Sequence, residues 1–370
     1  MRRIVVLTAG FGEGHNSAAK NLAQSLNLIP DVVATVHDPL VAFGERYERS
    51  KRNYISAISG APALWRVGYH ALDRLPLMSV SVPFLGPAER ELEKILRETG
   101  ADTAVCTYPL YPLLLRRIAK RGGPAVKIGT VVTDSITINR VWPSTPSDFW
   151  LTADRYSARI LGKLGVSGHR IHAPGFCVSP KFSDGKDLGR ETLGPGSGPA
   201  KVLLMAGTAA KDTVATARAI AAIPGVALTV TVGRKAALGD AVKAALAADG
   251  RSAEILGWSD AMPDILRSHH IMLGKAGGAT THETLAARTP FIITHVLPGQ
   301  EEGNAKLVVR IGGGVVATTP GAAADAVKAM LKDDAKLWRQ RVANLSRLSR
   351  TDGGIRAAEV VVRETGGVRG

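Results

Sequence analysis

Ile271-Met-Leu-Gly-Lys-Ala-Gly-Gly-Ala-Thr-Thr-His-Glu283, followed after a second apolar run by Pro298-Gly-Gln-Glu-Glu-Gly-Asn304, decides how this chain is read. A short apolar strand at 271–273 runs into glycines and then into a helix over 281–287, a geometry that aims free backbone N–H groups at an anion. Glu283 is placed three residues inside that helix, within reach of hydroxyls on whatever carries the anion. The same letters admit a plainer reading, in which Thr280-x-x-Glu283 is a capping box that satisfies its own helix start. The second polar cluster lies beyond another apolar strand at 291–296 and favours a ligand site. Only a few ligands combine a diphosphate, sugar hydroxyls and a ribose, and a nucleotide sugar is the common one.

Working outward, apolar strands alternate with helical stretches along the whole chain. Strands are expected at 4–8, 32–36, 104–107, 127–133 and 150–152. In the second half they are expected at 201–205, 227–232, 253–256, 271–273, 291–294 and 314–316. Helices are expected at 17–28, 89–98, 213–222, 240–248, 281–287 and 322–331. Such alternation predicts an α/β protein with parallel sheets covered by helices on both faces. With 370 residues the chain should fold as two domains. Residues 182–199, rich in Gly, Asp, Ser and Pro, are the expected linker between a first domain at 1–181 and a second at 200–340. A basic amphipathic helix at 335–350, continuing to 365, is expected to return to the first domain, so that residues 341–370 close the chain.

The formal charge is +15, and no zinc-finger, RRM or KH signature accompanies it, so an anionic membrane surface is a better partner than nucleic acid. Arg46-Tyr-Glu-Arg-Ser-Lys-Arg52 precedes a strongly apolar stretch, 54–86, which reads either as core or as a surface that dips into lipid headgroups. Nowhere are about 18 consecutive residues apolar, so any membrane attachment is expected to be peripheral. Cys106 and Cys177 match no metal spacing and are expected to be buried thiols of a cytosolic protein. The opening run Met1-Arg-Arg-Ile-Val-Val-Leu7 reads as a first strand and not as a signal peptide.

After that strand comes Gly10-Phe-Gly-Glu-Gly-His-Asn-Ser17. With Asp38 ending the second strand it resembles a dinucleotide fingerprint, although the spacing is G-x-G-x-G. His15 in this loop, at a helix N-terminus whose dipole disfavours the imidazolium, is a candidate general base. Gly12 and Gly14 beside it would let a substrate approach the backbone.

Taken together, these segments resemble a family. Gly10-Phe-Gly-Glu-Gly-His-Asn-Ser-Ala-Ala19 is similar to the N-terminal loop of monogalactosyldiacylglycerol synthases and the related bacterial diacylglycerol glucosyltransferases. Val131-Val-Thr-Asp134 with Trp142, Gly257-Trp-Ser-Asp-Ala-Met-Pro263, Lys275-Ala-Gly-Gly-Ala-Thr280 with Glu283, and Pro298-Gly-Gln-Glu-Glu-Gly-Asn-Ala305 follow that family's pattern in order. Three places depart from it: Asn139 stands where the family has a histidine, Met205-Ala-Gly-Thr-Ala-Ala-Lys-Asp212 replaces a glycine-rich loop, and Cys177 replaces a proline.

The resemblance implies the GT-B fold, two doubly wound Rossmann-like domains facing a cleft. It also implies inverting transfer of a hexose from a UDP-sugar to a lipid hydroxyl, diacylglycerol first, without metal or cofactor; no Asp-x-Asp pair occurs in the chain. The alternatives are a transferase of the same fold with a polyprenyl-linked or soluble acceptor, and a nucleotide-sugar binder without turnover. His15 would be the base, with Asp134 the competing candidate. Gly278, Ala279 and Thr280 would hold the diphosphate together with Lys275 and Gly277, and Gly12 and Gly14 join the donor site. Glu283 would accept the ribose hydroxyls, Gln300, Glu301 and Asn304 would hold the sugar, and Ser259 would meet the uracil. The expected location is cytoplasmic, peripheral on the inner face of the cell membrane.

Overall fold

The computed structural model describes residues 1–60, 85–186, 188–206, 212–299 and 301–366, with side chains to residue 53 in the first of these stretches. Most of the apolar stretch 54–86, the loop residues 207–211 and Gln300 lie outside the described residues. In chain order the first half runs β1 (Arg2–Leu7), α1 (Glu13–Leu26), β2 (Val32–His37), α2 (Glu45–Gly60), α3 (Gly86–Thr99), β3 (Thr103–Cys106), α4 (Tyr111–Lys120), β4 (Lys127–Val132), β5 (Phe149–Thr152), α5 (Arg155–Lys163) and β6 (Ile171–His172). The second half runs β7 (Ala200–Met205), α6 (Thr213–Ala221), β8 (Val226–Gly233), α7 (Ala236–Ala248), β9 (Glu254–Gly257), α8 (Met262–Ser268), β10 (Ile271–Lys275), α9 (Gly278–Ala286), β11 (Phe291–His295), α10 (Glu302–Arg310), β12 (Gly314–Val316), α11 (Pro320–Leu348) and α12 (Gly353–Thr365).

Two compact units result. One comprises Met1–Pro180, Pro298–Gly303 and Asp352–Gly370, the other Lys181–Leu297 and Asn304–Thr351. Each is built on a six-stranded sheet, in the orders β2-β1-β3-β4-β5-β6 and β12-β11-β10-β7-β8-β9, and every pairing is parallel. Central strands of such sheets are covered on both faces and must be apolar throughout. Ile4, Val5, Val6 and Leu7 of β1 and Ile271, Met272 and Leu273 of β10 are accordingly fully buried. The chain departs from the first strand of each sheet in one direction and returns on its other side, which creates a switch point between β1 and β3 and another between β7 and β10. Ligands of open α/β sheets bind at the carboxyl ends of the strands beside such points.

Several boundaries differ from the sequence reading. Helix α1 starts at Glu13, four residues before the expected 17, which draws His15 into its first turn. Helix α9 starts at Gly278, not at 281. The segment expected as one helix from 335 to 365 is two, because Ser349 ends α11 in extended backbone and α12 begins at Gly353. Within α11 itself, Asp333, Asp334 and Ala335 take left-handed φ values of 51, 54 and 59° and break the helix.

Helix α12 packs on α1 in the first unit. Gly353 and Gly354 make this possible: a Cβ on either would stand 2.2 Å from the Phe176 carbonyl oxygen or 2.3 Å from that of Val178. Arg2 from β1 donates to the Val362 carbonyl and to Thr365, fastening the far end of α12 to the sheet. Cys106 and Cys177 are buried free thiols, as expected, and burial pushes both well above the usual thiol range. Among the described residues no helix is long and apolar enough to cross a membrane.

Candidate active site

At the switch point of the first unit, β1 gives way to the glycine loop and α1. Its N-cap is Gly12, in extended backbone, and no side chain caps the helix. His15, the third residue of α1, is partly exposed yet closely surrounded by protein. Its ring meets Tyr108 edge-on with centroids 5.6 Å apart, lies 6.2 Å from Trp142, and places Nδ1 3.2 Å from Thr133 Oγ1. Burial pushes its pKa down to about 4, against the opposing effect of the Thr107 carbonyl, which accepts from the ring. Burial is therefore the main cause of neutrality here, where the sequence reading invoked the helix dipole. A neutral imidazole that gives its one N–H to a carbonyl keeps a lone pair on the other nitrogen, as a general base requires.

Asp134, just beyond β4, belongs to the same corner but shows no bond to His15. Its Oδ2 accepts from Trp142 Nε1 at 2.7 Å, and the Asn139 backbone N–H also donates to the carboxylate. Burial nevertheless outweighs these bonds and raises its pKa to about 6. Asn139, the residue in place of the family histidine, accepts from the Val141 N–H at 2.9 Å and so shapes the turn that delivers Trp142.

Asp38 does not do what a dinucleotide fingerprint would require. One carboxylate oxygen accepts from Gly10 N at 3.1 Å and Tyr47 OH at 2.7 Å, and the other from Leu40 N at 3.0 Å and Tyr111 OH at 3.3 Å. The carboxylate is spent on holding the glycine loop in place. Sequence reasoning missed this role, and it also missed Tyr108, Thr107 and Thr133; the position of Tyr108 directly after β3, at the switch point, was the available signal.

At the other switch point, β10 ends in Lys275, which is in register with His295 of β11, and the chain turns through Ala276 into α9. The N-cap of α9 is Gly277, again without a side-chain cap, and Gly278, Ala279 and Thr280 form its partly exposed first turn. Thr280 is thus the third residue of the helix and Glu283 the sixth, so the capping-box reading is wrong: neither residue stands where a capping box needs it. Contrast α5 and α11, whose N-caps Asp154 and Thr319 bond the backbone N–H groups of their first turns. The first N–H groups of α9 are left to something other than a side-chain cap.

Asn304, 3% exposed, belongs to the second unit and donates from Nδ2 to the Ala276 carbonyl at 2.9 Å, whereas the rest of the second polar cluster, Pro298–Gly303, is grouped with the first unit. Its Oδ1 is buried without a partner among the described residues. Glu301 is buried as well. Glu283 stands further along α9, partly exposed. Ser259 follows β9 and accepts the Ala261 N–H at 3.1 Å; beside it the half-exposed Trp258 ring carries the Arg234 guanidinium 4.3 Å from its centre. Gly12 and Gly14, assigned from the sequence to the donor, lie in the first unit beside His15.

Comparison with known proteins bears on the fold and on what the chain is similar to. The family model for monogalactosyldiacylglycerol (MGDG) synthase matches residues 15–178. A processive diacylglycerol beta-glucosyltransferase of Bacillus cytotoxicus is 23% identical, over 98% of this chain and 94% of its own length. Among solved structures, MurG of Acinetobacter baumannii superposes with a TM-score of 0.63 at 12% identity, covering 98% of this chain and 100% of its own. MnaA of S. aureus in complex with UDP gives 0.64 at 11% identity, covering 100% and 98%. These two show the fold, and the paired doubly wound units are of the GT-B type. Matched through most of its first half by the family model and along nearly its whole length by the Bacillus enzyme, the chain is similar to the monogalactosyldiacylglycerol synthases and processive diacylglycerol glucosyltransferases.

Proposed function

We propose that this chain is an inverting glycosyltransferase that moves a hexose from a UDP-sugar to the free hydroxyl of a lipid, diacylglycerol being the acceptor. The observation that carries the reading is the uncapped glycine start of α9 at a switch point, with the buried Asn304 fastened to its entry loop. That corner offers backbone N–H groups and the Lys275 ammonium to a diphosphate without calling on a metal.

In the proposed reaction the neutral His15 takes the proton of the acceptor hydroxyl. The resulting oxygen attacks the anomeric carbon opposite the leaving group, and the bond to UDP breaks. Negative charge then grows on the diphosphate, where the N–H groups of Gly278, Ala279 and Thr280, with Gly277 and Lys275, stabilise it. Glu283 accepts the ribose hydroxyls, Gln300, Glu301 and Asn304 hold the hexose, and Ser259 receives the uracil. Gly12 and Gly14 keep the His15 corner open to substrate. Asp134 holds Trp142 against the base and does not itself take the proton.

Attachment to the cytoplasmic face of a membrane is proposed to be peripheral. Arg46, Arg49, Lys51 and Arg52 on α2 lead into the apolar stretch, and each basic residue near an anionic surface contributes about 1 kcal/mol. Sedimentation with anionic vesicles should therefore weaken as salt is raised.

The test of function is incubation of the full chain with UDP-glucose, UDP-galactose or UDP-N-acetylglucosamine and diacylglycerol in mixed micelles, followed by mass analysis of the lipid. A new monohexosyl lipid is expected with one donor. UDP binding without any glycolipid would instead describe a nucleotide-sugar binder or a transferase with another acceptor.

A further inference from the structure

At the end of the sheet opposite the His15 corner, the first unit contains a cavity of about 410 Å³ at the amino ends of β5 and β6. Arg116 from α4 and Arg170 from the turn before β6 line it, together with Trp150, Thr145, Ser147 and Ser167. The strand ends that hold His15 and Asp134 are the carboxyl ones, so this cavity has no part in the proposed transfer.

Its two guanidiniums are fixed in place before any ligand arrives. Arg116 donates from Nε to the Pro146 carbonyl at 3.0 Å and from Nη2 to Asp148 Oδ1 at 2.7 Å. Arg170 donates from Nε to the Asp148 carbonyl at 2.9 Å and from Nη2 to the Ser147 carbonyl, and its Cζ lies 4.7 Å from the centre of the Trp150 ring. Among the described residues, Nη1 of each arginine has no protein partner. Asp148 is the carboxylate that answers the pair, and its other oxygen already accepts from Ile128 N at 2.8 Å. Carbonyl oxygens orient Arg170 without cancelling its charge, so the cavity keeps a surplus positive charge on two rigid forks. Planar N–H forks match the oxygens of a phosphoryl group, and the volume is that of a small-molecule site.

We propose that this cavity binds a phosphoryl group carried by a small organic residue, held between Arg116 and Arg170. A soluble phosphate ester and the phosphate of an anionic lipid headgroup share this chemistry, and the experiment separates them. Inorganic phosphate and glycerol phosphate are titrated calorimetrically into the full chain. In parallel the chain is sedimented with vesicles of phosphatidylcholine alone, or with an equal part of phosphatidylglycerol.

Two variants accompany each arm. Arg116→Gln removes one fork. Ser167→Glu adds a negative charge to the cavity rim, touches neither arginine's fixed bonds, and so reports even where the first variant folds poorly. The expected result is saturable binding that falls about tenfold or more in both variants, the loss of one charge-assisted contact. Seen with glycerol phosphate, it assigns the site to a soluble ester; seen only with phosphatidylglycerol vesicles, it assigns it to a headgroup. Absence of binding in every arm, or binding by Ser167→Glu equal to that of the parent, overturns the proposal.

Discussion

The two switch points are built on one plan and filled with opposite chemistry. Each has a strand, a glycine turn and a helix whose N-cap is glycine and carries no side-chain cap. In the first unit the corner is crowded by Tyr108, Trp142 and the threonines, and two titratable groups are trapped there with their pKa values driven past each other, His15 down to about 4 and Asp134 up to about 6. In the second unit the corner keeps its helix start partly exposed and supplies N–H groups, a lysine and an amide. A crowded corner shifts the protonation of its side chains; an uncapped, partly exposed helix start leaves N–H groups for an anion. On the function proposed above, one fold would support two tasks, with the side chains around each turn deciding which.

The sharpest way to break this comparison is to remove the base. His15→Ala should lower turnover about 10²–10⁴-fold while UDP affinity, measured by calorimetry, stays near that of the parent. Comparable losses in both would mean that the first corner also serves the nucleotide.

Glu283→Gln probes the other side. Loss of a charge-assisted contact to ribose hydroxyls should weaken UDP binding by about 1.5–3 kcal/mol. Unchanged UDP binding would leave Glu283 a structural residue of α9.

Asp134→Asn sharpens the contrast through stability. A carboxyl whose folded pKa is raised to about 6 from 3.8 binds protons more readily when folded, so it costs stability above about pH 6, and that cost fades as pH falls towards 3.8. The variant should be more stable at neutral pH by on the order of 2 kcal/mol, with the gain gone near pH 4, by denaturant titration. His15 has the opposite slope. Its folded pKa lies below the ordinary 6.5, so its contribution is whole above that value and is lost as pH falls towards about 4. In the parent the two slopes oppose each other between about pH 4 and 6, and either substitution should unmask the other.

Much of this was legible in the sequence, for physical reasons. Buried parallel strands need unbroken apolar runs, so β1, β7, β10 and β11 announce themselves, and the glycines after β1 and β10 mark both turns. The helix starts were harder to read. Thr280 and Glu283 have the letters of a capping box, yet Gly277 takes the N-cap because the chain turns immediately after β10. Asp38 has the letter and spacing of a ribose ligand. Its role is set by Tyr47 and Tyr111, whose approach depends on the folded sheet. The break at Asp333–Ala335 involves no Gly or Pro, and the seat of α12 depends on carbonyls at Phe176 and Val178, far away in sequence.

The pH dependence of kcat/KM tests the central claim most directly, because it reports the free enzyme's essential groups. If His15 is the base, its neutral form persists down to about pH 4, so kcat/KM should stay level from neutral pH through 6 and fall only as pH approaches that value. A limb centred near 6, where Asp134 takes up its proton, would give the catalytic role to Asp134 and contradict the account.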